Sequence, residues 1–233
     1  MYTLPFKATI SNCDPDGRLK LHCALQMMQD CSELWIDTEP AVRRCFEEEN
    51  MAQLLVSRQV EVVRVPACKE DLSVATSVYD IKPMFGFRNT FVYDAAGRPC
   101  YRTWSMGAFV DRATGKLKRV SASMLAAMRL EPKLEMAYGD RRIHLPEGGG
   151  EKAAPIPVAK ADIDYNRHVN NACYIRMAEE LLPDWFQVRG LRVEYRVPAK
   201  FGDVLLPEVF RRGNAFIVSL SLGAVPAVLV EFT

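Results

Sequence analysis

Apolar positions recur every three to four residues between 21 and 35. Leu21, Ala24, Leu25, Met28 and Trp35 share one face of a helix at that period, and His22, Gln26, Gln29, Asp30, Glu33 and Asp37 share the other. Met27 falls at the edge of the apolar face. Ahead of this helix the pattern predicts a short strand over residues 4–10 and turn chemistry in "CDPDG". Behind it, "PAVRRCFEEENMA" reads as a second short helix opened by Pro40, a residue suited to a first helical turn. From Leu54 to Val120 the texture changes to strands. "LLVSRQVEVVRVP", "DLSVATSVYDI", "FRNTFVYD" and "PCYRTWSMGAFVD" alternate or are rich in Val, Thr and aromatics, with "AAGR" and "RATGK" as hairpin turns. "SASMLAAMRL" closes this half as a short helix capped by Ser121 or Ser123.

Residues 131–153 hold two prolines and "EGGGEK", the composition of a linker. The expected division is therefore 1–130, a linker at 131–153, and 154–233. After the linker the plan restarts. A strand near 155–160 leads into the polar run "DIDYNRHVNNACYI" and a helix with Tyr174, Met177, Ala178 and Leu181 on its apolar face. Strands follow near 191–198, 203–212, 215–222 and 226–232, broken by "FGD", "GN" and "GAVP". Both halves thus read strand, polar turn, helix, antiparallel strands. Placing Gly17-Arg18-Leu19 on Asn166-Arg167-His168 sets Leu25 on Tyr174. One copy then carries Asn and His where the other carries Gly and Leu. A purely structural cap would call for polar groups in both copies, so the asymmetry points to one working site and one scaffold.

Composition narrows the classes. Thirty basic against twenty-nine acidic side chains leave a net charge of +1, unlike the basic excess of a nucleic-acid binder. The local clusters Arg141-Arg142, Arg189-Arg192-Arg196-Lys200 and Arg211-Arg212 read either as solvated surface or as docking for an acidic partner. Seven scattered cysteines with no C-x-x-C pair read as reduced thiols. Neither a signal peptide nor a membrane-spanning apolar run is visible, and the expected location is cytoplasmic. The three histidines, at 22, 144 and 168, lack ligand spacing, so no metal and no cofactor are expected.

"DYNRHVNNACY" resembles the D-x-N-x-H-V-N-N-x-x-Y signature of the acyl-acyl carrier protein thioesterases of bacteria and plants. "VSRQVEV", "GFRNTFVYDAAGRP" and "WSMGAFVDRATGKLKRV" support the resemblance across the first half. It implies an α+β fold, a tandem (double) hotdog in which each half is a long helix wrapped by an antiparallel β-sheet. It implies hydrolysis of acyl-carrier thioesters to free fatty acid, with acyl carrier protein as partner, and leaves a homodimer open. At one point the chain departs from the family. Where the strand after "EYR" usually brings a Glu and often a Cys, both discussed as catalytic, Pro198 and Ala199 stand here.

Thioester hydrolysis needs an activated water and a stabilised carbonyl oxygen. The residues read as catalytic are His168 as base, Asn166 as the amide that holds water or carbonyl, and Asp164 as the group that orients the imidazole. A helix beginning near Val169 would offer free N–H groups to the oxyanion, with Asn170 and Asn171 completing the shell. Cys173 reads as buried core. Met27, Met28 and Phe85 are candidates for lining an acyl pocket in the first half, the methionines being core filling otherwise. Arg189, Arg192 and Arg196 are candidates for carrier docking. Two other functions remain in play: an acyl-CoA thioesterase, and a non-catalytic acyl-binding or regulatory protein motivated by Pro198 and Ala199.

Overall fold

The computed structural model describes residues 1–233. They form two compact units: Met1–Arg58 with Val62–Tyr138, and Gln59–Glu61 with Gly139–Thr233. In the first, β1 (Tyr2–Lys7) precedes α1 (Leu21–Asp37) and α2 (Pro40–Glu48). Then come β2 (Met51–Val62), β3 (Asp71–Lys82), β4 (Phe85–Asp94), β5 (Pro99–Asp111) and α3 (Ala122–Ala127). Spatially the strands run β1-β3-β4-β5-β2, with β1 to β5 antiparallel along that path. Hairpin geometry follows from glycines that accept left-handed backbone: Gly97 between β4 and β5 has φ +76°.

The seventeen residues of α1 pack across β1, β3 and β4. Cys23, Met27 and Cys31 are buried along with the predicted stripe, so the apolar arc is wider than the periodicity suggested. A helix pressed into a curved sheet loses water from more than one face. Met27 and Met28 are 1% and 0% exposed, each burial worth roughly 1.5–3 kcal/mol. Trp35, Val42, Phe46, Val78, Phe109 and Met124 join α1, α2, α3 and the sheet in one cluster. Ser121 is the cap of α3, its hydroxyl accepting the Met124 N–H.

The outer face of this sheet is also covered. Asn89, wholly buried, donates to the Thr103 carbonyl and to Tyr138 Oη, and accepts the Leu134 N–H. The Tyr138 ring packs on Trp104 at 6.0 Å. These contacts place the unit boundary at Tyr138, inside the stretch read as a linker. Proline and glycine content marks irregular backbone but not whether that backbone packs.

The second unit holds β6 (Glu151–Lys152), β7 (Ile156–Pro157), α4 (Asn171–Glu179), β8 (Gly190–Tyr195), β9 (Val204–Arg212), β10 (Ala215–Leu222) and β11 (Val225–Phe232). Its strands run β8-β11-β10-β9-β6, and β7 also pairs with β9. Two-residue turns led by Gly213 and Gly223, both at positive φ, join β9 to β10 and β10 to β11. Helix α4 packs on β10 and β11 and ends at Glu179, short of the predicted Leu181. Pro183 disfavours helical backbone at Leu182, which stops the helix early.

Backbone hydrogen bonds fix how the two halves correspond. Asp14 N–H donates to the Arg18 carbonyl as Asp164 N–H does to that of His168. Lys20 N–H meets the Asn12 carbonyl, and Asn170 N–H meets that of Asp162. The left-handed residue is Gly17 (φ +72°) in one turn and Arg167 (φ +63°) in the other. His168 therefore corresponds to Arg18, Asn166 to Asp16 and Tyr174 to Ala24, one residue away from the expected register. Both copies are polar at the first two of these positions, so the expected contrast of Asn and His with Gly and Leu is corrected. The error has a physical source. Arg rarely adopts left-handed backbone, so nothing in the residue type marks Arg167 as the counterpart of Gly17.

Candidate active site

The polar run folds as a closed loop. Ile163 and Val169 form an antiparallel bridge, and Asp164 and His168 stand opposite each other one step further out. Opposed positions in such a ladder share a face, with Cβ atoms about 5 Å apart. Val169 is buried, so the alternation of faces turns Asp164 and His168 away from the core, and both are half-exposed. Asn166 sits at the exposed tip. Its N–H donates to Asp164 Oδ1 at 2.9 Å, and Arg167 N–H donates to the Asp164 carbonyl. Asp164 thus holds the loop through one carboxylate oxygen. Keeping a non-glycine side chain at Arg167 costs about 1–2 kcal/mol in left-handed backbone.

The other polar residues of the run have structural duties. Asp162, 5% exposed, accepts the Arg176 guanidinium at 2.7 Å and the Ala159 N–H at 2.8 Å. Asn170, expected among the substrate contacts, is the N-cap of α4, its Oδ1 accepting the Ala172 N–H at 2.9 Å. Asn171, half-buried, offers its carbonyl to Tyr195 Oη. The helix begins at Asn171 rather than near Val169. Its supply of donors is correspondingly small. The N–H groups of Val169, Asn170, Ala172 and Cys173 donate to Ala199, Asp162, Asn170 Oδ1 and the Asn170 carbonyl. The expectation of a free N–H set for an oxyanion is therefore corrected. These four groups are satisfied, and the side-chain amide of Asn166 is a candidate donor in their place. Burial pushes the Cys173 thiol above its usual range, as suits a core residue.

Ala199, where the family pattern has an acidic or thiol group nearby, is fully buried; Pro198 beside it is exposed. Neither neighbouring carboxylate takes over. Burial raises the Glu194 carboxyl, but hydrogen bonds from Arg196 and from the Ile143 N–H outweigh it and hold the group below its ordinary range. Asp203 Oδ2 accepts the Lys200 N–H, as Glu70 Oε2 accepts that of Ala67 in the first unit. Both carboxylates cap their turns.

One pair was not legible beforehand. Ala199 N–H donates to Tyr174 Oη at 2.7 Å. The equivalent pair in the first unit is Pro66 and Ala24, which have neither the donor nor the acceptor; Pro66 is identified by its carbonyl, which accepts Leu19 N–H as that of Ala199 accepts Val169 N–H. Tyr174 therefore ties the loop after β8 to α4 only in the unit that carries His168. Tyr174→Phe is expected to orphan the buried Ala199 N–H and to lower stability by about 1–3 kcal/mol in urea unfolding. An unchanged midpoint would remove Tyr174 from the support of this loop.

The docking candidates separate. Arg189 and Arg196 are exposed, the latter paired with Glu194 at 3.0 Å. Arg192 is not available. Its Nε donates to the buried Glu231 at 2.6 Å and its Nη1 to the Asp140 carbonyl at 2.7 Å. Arg212 adds a second ion pair to the same carboxylate. A strand position facing away from the apolar core looks solvent-directed in sequence, but here it meets β11. In the first unit, Phe85 is half-buried at the start of β4. A cavity of about 130 Å³ there is lined by Tyr2, Trp35, Thr38, Ser77, Val78 and Arg129 among others, not by Met27, Met28 or Phe85. No group of three His, Cys, Asp or Glu side chains is placed to hold a metal ion. No helix is long and apolar enough to cross a membrane.

Two helix-on-sheet units and one polar loop at the head of a helix define a hotdog protein of the thioesterase-like class. Residues 158–211 match the thioesterase-like superfamily, and residues 1–128 match the acyl-ACP thioesterase N-terminal domain. The chain belongs to the acyl-ACP thioesterase family. An acyl-ACP thioesterase from Bacteroides thetaiotaomicron is similar to it at 22% identity and a TM-score of 0.89, over 99% of this chain and 96% of that one. The 12:0-ACP thioesterase of Umbellularia californica is similar at 16% identity and a TM-score of 0.86, over 99% and 95%. At such identities the likeness establishes the fold, and the expected α+β double hotdog is borne out. No curated protein matches the chain.

Proposed function

We propose that the chain hydrolyses acyl thioesters carried on acyl carrier protein, with His168, Asn166 and Asp164 as its working groups. The observation that carries this reading is the contrast between two loops with the same backbone hydrogen bonds. One holds Asn166 and His168 where the other holds Asp16 and Arg18, and an arginine cannot serve as a base. His168 takes a proton from water as the oxygen attacks the carbonyl carbon. The Asn166 amide steadies the carbonyl oxygen or the water. Asp164, opposite His168, orients the imidazole and supports its charge. Collapse breaks the C–S bond, and the pantetheine sulfur leaves with the proton returned from His168. The products are a free fatty acid and the carrier thiol.

For the acyl chain the reading assigns the first unit, with half-buried Phe85 as the candidate that sets its length; Met27 and Met28, 1% and 0% exposed, are core there. The test is hydrolysis of a C4–C18 panel of acyl-carrier and acyl-CoA thioesters by the purified protein. Turnover of carrier thioesters above CoA thioesters supports the proposal; the reverse order makes the protein an acyl-CoA thioesterase. Pro198 and Ala199 favour a second reading, a binder of acyl chains without catalysis. Tight acyl binding with no hydrolysis of any panel member would establish it.

A further inference from the structure

The unit that carries His168 also differs from its counterpart on the surface around that loop. Tyr165 is 80% exposed and Phe201 is 59% exposed. Lys160, Arg167 and Lys200 are exposed beside them, the Lys160 ammonium lying 5.6 Å from the Phe201 ring centroid. Backbone bonds hold the two loops together: Val169 to Ala199, Val158 to Asp203 and Gly202 to Val158. The corresponding bonds of the first unit join Leu19 to Pro66, Ala8 to Glu70 and Lys69 to Ala8. Through them Lys160 corresponds to Ile10, Tyr165 to Pro15, Arg167 to Gly17, Lys200 to Ala67 and Phe201 to Cys68.

None of these five positions carries a cation or an aromatic ring in the other unit, whose loops present Arg18 and Lys69 together with the exposed acid Asp16. All exposed charges on the two loops of the His168 unit are positive, Arg196 included; Asp164 and Asp203 are half-buried and serve the loops themselves. Arg167 occupies left-handed backbone that Gly17 fills without strain, so local stability does not explain its presence. An exposed ring on each of two joined loops, among exposed charges that are all positive, matches an acidic protein surface with apolar contacts.

We propose that Lys160, Tyr165, Arg167, Lys200 and Phe201 form the docking surface for the acidic carrier protein. Its pantetheine arm would then enter beside His168. The proposal rests on the thioesterase reading of the loop, yet its test does not depend on turnover. Fluorescence anisotropy of a labelled acyl carrier protein reads binding directly in the native chain and in K160E/K200E, F201A and R167G. The double charge reversal is expected to weaken binding about tenfold or more, and F201A severalfold. Added salt should weaken native binding and leave the reversed variant nearly unaffected. R167G is expected to lose affinity with no fall in Tm.

Where turnover is present, KM for the acyl-carrier substrate should rise in K160E/K200E while neutral acyl-pantetheine is hydrolysed as before. Unchanged affinity in the charge-reversed variant overturns the proposal. So does a loss that is equal on acyl-pantetheine, a fall in Tm for R167G, binding of anionic phospholipid vesicles through these residues, or self-association that F201A abolishes. Absence of hydrolysis in the native chain would sink the thioesterase reading alone, since carrier binding is measured separately.

Discussion

Replacing His168 by alanine is expected to cut thioester turnover by at least ~10²-fold, the loss typical of one acid–base group. The protein should stay folded. Only the backbone carbonyl of His168 is engaged in closing the loop, through Asp164 N–H, and alanine keeps it. The matched control is Arg18→Ala, at the equivalent place in the first unit, which should leave kcat nearly unchanged. Asn166→Ala should cost ~10²-fold or more if its amide steadies the oxyanion or water, a heavier demand now that the helix cap uses the nearby N–H groups. Asp164→Ala should lose ~10²-fold and, in addition, about 1 kcal/mol of stability, because its carboxylate also holds the Asn166 N–H. Steady-state kinetics on a preferred thioester, with circular dichroism of each variant, decides the matter. Full activity in the His168 variant would leave the loop as a cap shared by both halves.

A comparably large effect lies away from the loop, at Arg192. Glu231 is 3% exposed, and Arg192 supplies its buried partner while Arg212 supplies a more exposed one. Arg192→Ala is expected to cost roughly 3 kcal/mol, the low end of the range for stripping a partner from a buried carboxylate, since Arg212 remains. Tm should then fall by about 6–12 °C. Arg196→Ala, whose pair with Glu194 is partly exposed, should cost no more than ~1 kcal/mol. The contrast separates a structural arginine from a surface one. If Arg192→Ala melts as the native protein does, the ion pair is not a support of β8 and β11.

Local periodicity carried most of the elements. The predicted strand "PCYRTWSMGAFVD" coincides with β5, and the predicted span of β3 differs from the observed one by a single residue. Side-chain alternation and turn glycines act within a few residues, so the chain displays them directly. Pro40 at the start of α2 and Ser121 at the cap of α3 were legible for the same reason. Helix ends were less so, because the early stop of α4 comes from a proline four residues beyond it.

What the sequence determined by itself is the order of elements, the repetition of that order, and a histidine-bearing polar loop ahead of the second helix. Tertiary structure alone decided the register of the repeat. Only the hydrogen bonds of each loop reveal that Arg167, not Asn166, takes the left-handed position of Gly17. It also decided which polar groups are available. Asn170 is spent on a cap two residues away, whereas Arg192 is spent on Glu231, thirty-nine residues away. A residue's chemistry is written in its side chain, but whether that chemistry is free to act depends on the partners folding brings to it. Those partners lie on strands whose pairing no local pattern specifies.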